Sequence, residues 1–171
     1  MAAALDTHGE LVLRAERWLR QCAGCSVVLR DPMRTHNQEQ PDAIGWRDHV
    51  SILIEVKTSR ADFLADAKKP FRLQPEKGMG DWRLYLCPPQ LIQPEELPPG
   101  WGLLWALPKI IRRVHGLPRG NWWGQPPLAG NKQAETILLK SALRRLDRRG
   151  YLEAVYDQSW LGGAGEGAQA P

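Results

Sequence analysis

The chain has 171 residues, 43% hydrophobic and 25% charged, which is ordinary for a soluble globular domain and long enough to bury a sizeable core. Lys and Arg outnumber Asp and Glu by 23 to 19, so the mild basic bias permits a polyanionic partner without demanding one. An odd three cysteines exclude a disulfide framework, no apolar run can span a bilayer, and residues 1 to 9 carry no export signal, so a cytoplasmic protein is expected.

In chain order, residues 10 to 22 have helical spacing: Leu11, Ala15, Trp18 and Leu19 share a face, Glu10 lies in the first turn, and Gly24 ends the helix. Cys22 and Cys25 have CxxC spacing, but without a second ligand pair they read as reduced thiols rather than zinc ligands. Residues 26 to 30 predict a short strand. A polar loop containing Pro32 and Asn37 follows, and His36 is the one histidine of interest as a base. Residues 41 to 46 lead through a turn at Arg47-Asp48 into a strand over 49 to 58. Along that strand Val50, Ile52, Ile54 and Val56 share one face, while Ser51, Leu53, Glu55 and Lys57 share the other.

Residues 59 to 69 read as a helix capped by Ser59 and closed by Pro70; Asp62 and Asp66 read as solvated carboxylates on it. Strands are expected over 83 to 87, 102 to 107 and 110 to 115, with one helical turn between 90 and 99. Trp122-Trp123 lies in a Gly/Pro-rich stretch, placed either to pack on the core or to stack on an unpaired base. Asn131 caps a helix reaching Arg149, with an apolar stripe of Ile137, Leu138, Ala142, Leu143 and Leu146, and Gly150 stops it. The expected architecture is a single α/β domain over 1 to 160, a central mixed sheet flanked by helices, with a disordered tail over 161 to 171.

The chemistry concentrates at Pro41-Asp42 and Glu55-Val56-Lys57. On a hairpin, Asp42 at the start of one strand lies near Glu55 at the end of the next, with Lys57 beside it. Two converging carboxylates and the Val56 carbonyl suit a hard cation such as Mg²⁺ or Mn²⁺. Phosphodiester hydrolysis needs such a cation to activate water, and an ammonium to offset charge developing on phosphorus. The bland alternative is an exposed strand face bearing a Glu-Lys pair of little energetic weight.

Asp42 with Glu55, Val56 and Lys57 resembles the PD-(D/E)XK nuclease superfamily. The segment PDAIGW is similar to the VRR-Nuc type, and IEVKTSRADFLADAKK followed by LYLCPP is similar to the MmcB-like DNA-repair branch. The resemblance covers about residues 10 to 105. It implies a restriction-endonuclease-like fold, a divalent ion, and a DNA substrate cut in repair, recombination or mobile-element processing. Asp42, Glu55, Lys57 and Glu10, which matches a first-helix glutamate, would then be catalytic, with Asp42, Glu55 and Val56 as metal ligands. Ser59, Arg60, Lys68, Lys69 and Arg72 follow the motif as candidate contacts to the nucleic-acid backbone, and Arg112, Arg113, Arg119, Arg144, Arg145, Arg148 and Arg149 form a second basic population. Nucleases of this class that cut both strands often pair, which makes a homodimer an open expectation. A module with the same fold that binds nucleic acid without cutting it is the alternative reading.

Overall fold

The computed structural model describes residues 7–31 and 39–156; His36 and residues 161 to 171 lie outside them. The first helix, α1 (His8–Gln21), starts at Thr7 because two exchanges fix its end: the Thr7 hydroxyl accepts the Glu10 amide, and the Glu10 carboxylate accepts the Thr7 amide. Its stripe of Leu11, Val12, Ala15, Trp18 and Leu19 is buried. Three antiparallel strands follow, β1 (Val27–Arg30), β2 (Ala43–Arg47) and β3 (Val50–Val56). The chain then crosses over through α2 (Arg60–Asp66) and α3 (Pro70–Leu73) to β4 (Trp82–Cys87), which lies parallel to β3. A 3-10 turn at Pro94–Glu96 leads to the parallel β5 (Trp101–Ala106), and β6 (Ile111–His115) returns antiparallel. The last long element is α4 (Lys132–Arg148), capped by the Asn131 side chain and followed by a 3-10 turn at Leu152–Val155. The six strands stand in sequence order.

This is an α/β fold, a six-stranded mixed sheet with helices on both faces. The alternation along β3 divides it as its sequence predicts. Val50, Ile52, Ile54 and Val56 join the core beneath α1, whereas Leu53 joins Phe63, Tyr85, Ala134 and Leu138 beneath α2 and α4. All seven β3 residues are buried, and each fully buried Ile or Leu contributes roughly 1.5–3 kcal/mol. No described helix is long and apolar enough to cross a membrane.

One expectation changes with consequence. The helix after β3 ends at Asp66, and Pro70 does not close it but opens α3 from its first position. A proline disfavours helical backbone in the residue before it, and Lys69 is extended. The chain therefore turns between the two helices, and that turn brings Arg72 inward.

Candidate active site

The β2–β3 hairpin, paired Ala43 with Ile54, sets Asp42 opposite the end of β3. The Asp42 Oδ2 accepts the Val56 amide at 2.7 Å, and its Oδ1 lies 3.3 Å from His8 Nε2. Glu55 and Lys57 project side by side, with Lys57 Nζ 3.6 Å from Glu55 Oε2. Asp42, Glu55 and Lys57 thus gather at one end of the sheet. Both Glu55 and Lys57 are only 3% exposed, so the pair is buried, not the solvated strand face of the bland reading.

A charged cluster surrounds them. Asp66 is 1% exposed, a correction to the expectation of a solvated carboxylate. Its Oδ1 faces Lys57 at 3.3 Å and Lys69 at 2.7 Å; its Oδ2 accepts from Arg72 Nε and from the Tyr85 hydroxyl, both at 2.7 Å. Arg72 Nη1 donates to Glu39 at 3.2 Å, and Glu39 also accepts the Met79 amide. Arg72 Nη2 is 3.2 Å from Glu55 Oε1 but makes no aligned hydrogen bond. Asp66, Glu39, Tyr85 and the inward Arg72 are the parts that sequence reasoning missed. Phe63 held one clue: it marks the buried face of α2, and Asp66 stands three residues on, over the same face.

The electrostatics follow from burial. Burial pushes the Glu55 carboxyl up to about 7; Arg72 and Lys57 oppose that shift, and Asp42 adds to it. Asp42 is also raised, by burial above all, against the Val56 amide, His8 and Lys57. Burial likewise raises Glu39. Burial would lift Asp66 too, but Arg72, Lys57 and Lys69 outweigh it and hold the group well below the usual carboxylate range. Lys57 is pulled down by burial, yet Glu55, Asp66, Asp62 and Asp42 together raise it, so it keeps its charge.

Several expected contacts take other roles. Glu10 is exposed and serves the α1 cap, because Thr7 stands where it can exchange hydrogen bonds with it; His8, two residues earlier, is the α1 residue that reaches Asp42. Arg72 is buried among acids and cannot meet a nucleic-acid backbone. Arg60 grips Glu96 with both Nη atoms and donates to the Leu91 carbonyl, and Lys69 is paired with Asp66. Ser59 caps α2, accepting the Asp62 amide. Lys68 alone of that group is exposed with no ion pair among the described residues. Trp123 packs edge-on between Trp18 and Trp82, whereas its neighbour Trp122 is exposed. All three cysteines are free, Cys22 exposed and the other two buried.

No family model matches this chain, and no curated protein matches it. Among solved structures it is similar to a protein of unknown function from Silicibacter pomeroyi, 25% identical, with a TM-score of 0.57 over 96% of this chain and 98% of that one.

Proposed function

We propose that this protein is a divalent-metal-dependent nuclease of restriction-endonuclease-like fold that hydrolyses phosphodiester bonds in DNA. One observation carries the reading: the hairpin hydrogen bond from the Val56 amide to Asp42, which draws that carboxylate to the chain between Glu55 and Lys57.

Among the described residues no group of three or more His, Cys, Asp or Glu side chains is arranged to hold a metal. Mg²⁺ does not need three, since it keeps several waters and takes one or two carboxylates together with substrate phosphate. Asp42 and Glu55 supply the carboxylates, and the Val56 carbonyl is a third hard oxygen. Burial raises both carboxyls despite the cations already beside them, and a divalent ion held between them would favour their charged forms. The residues fit. When bound, the ion would polarise a phosphoryl oxygen and acidify water. Lys57, held charged by Asp66, would orient the attacking water and offset charge gathering on phosphorus. Asp66 is anchored by Arg72 and Tyr85, so the ammonium keeps its place when Glu55 turns to a cation.

The rival reading, a nucleic-acid-binding module without catalysis, is favoured by Arg72 and Lys57, which already face both oxygens of Glu55. Cleavage of supercoiled and single-stranded DNA in Mg²⁺ or Mn²⁺, with and without chelator, decides between them. Asp42→Ala and Lys57→Ala should each lower the metal-dependent rate by at least about a hundredfold, the scale seen when one transition-state contact is lost. Equal rates in wild type and variants would leave only the rival.

A further inference from the structure

The arginines of this protein divide into two populations. Most of those on the sheet and α1–α3, the exposed Arg17 excepted, are engaged by the fold: Arg20 and Arg30 both hold Glu16, Arg47 bonds the Ala23 carbonyl and Asn121, Arg60 holds Glu96, and Arg72 sits among three acids. The end of α4 is different. Lys140, Arg144, Arg145, Arg148 and Arg149 share their stretch with one acid, Asp147, and none of the five forms an ion pair among the described residues. Lys140 and Arg144, Arg144 and Arg148, and Arg145 and Arg149 are like charges four apart on a helix, a spacing at which they repel. The helix dipole excuses basic residues in the last turn but fades beyond it, and so does not account for Lys140 or Arg144.

Ser141, Arg144, Arg145 and Arg148 line one hollow of about 310 Å³, with Arg145 Nη1 donating to Ser141 Oγ at 3.2 Å. Arg144 and Arg148 are exposed and stand one helical turn, about 6 Å, apart. Their planar forks suit phosphate oxygens two at a time. Ala134 and Leu138 pack α4 against the same core as Leu53, Phe63 and Tyr85, so the stripe's helix lies on the sheet face that carries Glu55 and Lys57.

We propose that the Ser141–Arg144–Arg145–Arg148 stripe of α4 is a binding site for the phosphodiester backbone of a nucleic acid. This rests on the reading that the protein acts on nucleic acid, and it replaces the contacts expected at Arg60, Lys69 and Arg72. A polyanion on the stripe would supply the negative charge that the fold withholds there.

The test measures binding of the full chain to a fluorescent duplex and to a single strand, in chelator, over a range of salt. Wild type should bind with affinity that falls steeply as salt rises. In the double variant Arg144→Ala/Arg148→Ala, binding should weaken and the log–log salt slope should lose about two units, one per lost phosphate contact. Both side chains are exposed, and a thermal melt checks that the variant stays folded. Arg17→Ala/Lys109→Ala removes the same charge elsewhere on the surface and should leave the slope unchanged. An unchanged slope in the α4 variant, or an equal drop in both variants, overturns the stripe. Wild type that ignores DNA and binds poly-glutamate instead also overturns it, in favour of an acidic protein partner. Because no divalent ion is present, failure of cleavage and failure of the stripe are separate results.

Discussion

The two ends of β3 each carry a polar cluster on the same face of the sheet, and they settle their charges differently. At the start, Ser51 Oγ donates to Glu135 at 2.7 Å and stands 3.0 Å from Asp81; Glu135 also accepts from Trp46 Nε1 and the Gly80 amide. Lys132 closes the set on Asp81, Ser51 and Glu135. Burial opposes the Asp81 charge, yet Lys132 and the Gly130 and Ser51 amides lower its pKa overall. Gly80 makes the approach possible: its φ is +86°, and a Cβ there would lie 2.7 Å from that of Leu53. At the far end, Asp42, Glu39 and Glu55 are all raised, and Asp66 alone is lowered. Both clusters are buried, so burial alone does not distinguish them. The first pairs its acids with Lys132 and backbone amides and locks α4 to the sheet; in the second, burial outweighs the nearby cations at three of the four carboxyls, the feature on which the proposed cation site rests.

The largest effect that separates the two ends comes from removing a charge from each. Glu135→Ala strips Ser51, Trp46 and Gly80 of a shared acceptor and should lower stability by about 3–5 kcal/mol, with no recovery in Mg²⁺. Arg72→Met leaves Glu39, Glu55 and Asp66 without their common cation and should cost a similar 3–5 kcal/mol in chelator. Here Mg²⁺ should restore part of the loss, because an ion bound only by the folded state stabilises it by mass action. Denaturant melts of both variants with and without Mg²⁺ measure this; equal indifference to Mg²⁺ would erase the distinction between the ends.

A decline of stability with rising pH, of intermediate size, belongs to the far end; the lowered Asp81 at the near end acts only in acid and with the opposite sign. Glu55 is raised from 4.5 to about 7, so between those values the folded state binds more protons than the unfolded one. Stability from this group is complete below about 4.5 and declines as pH rises through 7, by on the order of 3 kcal/mol. Asp66 has the opposite sign, but its contribution is already complete above about pH 5, so it does not mask the decline. Comparing wild type with Glu55→Gln over pH 5 to 8 gives the Glu55 share as the difference between the two curves: the decline should be shallower in the variant, where only the raised Asp42 and Glu39 remain, and should shrink for wild type in Mg²⁺. Parallel curves for the two proteins would show that Glu55 ionises normally.

The legible parts of this molecule were those fixed by short-range pattern. Alternation along β3 separated its apolar face from Ser51, Glu55 and Lys57, and a tight turn, expected at Arg47-Asp48 and found one residue later at Asp48-His49, let Asp42 be placed near Glu55. The caps at Ser59 and Asn131 and the strands β4, β5 and β6 were readable for the same reason, though not their order in the sheet. What escaped were contacts between elements distant in sequence. Asp66 differs from a solvated helix carboxylate only because Tyr85 and Arg72 fold over it, and Arg72 arrives there through the break at Pro70. Glu135 sits beside Ala134 on the buried side of α4, a hint that becomes decisive only once Ser51 and Trp46 are opposite.

The smallest effect asks how far the unsettled end of β3 reaches into α1. His8 touches Asp42, whereas Glu10, in the same turn, points to the Thr7 amide and is exposed. If Glu10 serves only the helix end, Glu10→Ala should cost under about 1 kcal/mol, as loss of half a capping box does. Its metal-dependent cleavage should then equal that of wild type. A first-helix glutamate working at the metal would give the reverse: a normal melt with a rate at least tenfold lower. The two results differ in kind, so even this slight substitution shows whether the proposed cation site at the end of β3 takes a third carboxylate from α1 or stops at the histidine beside Asp42.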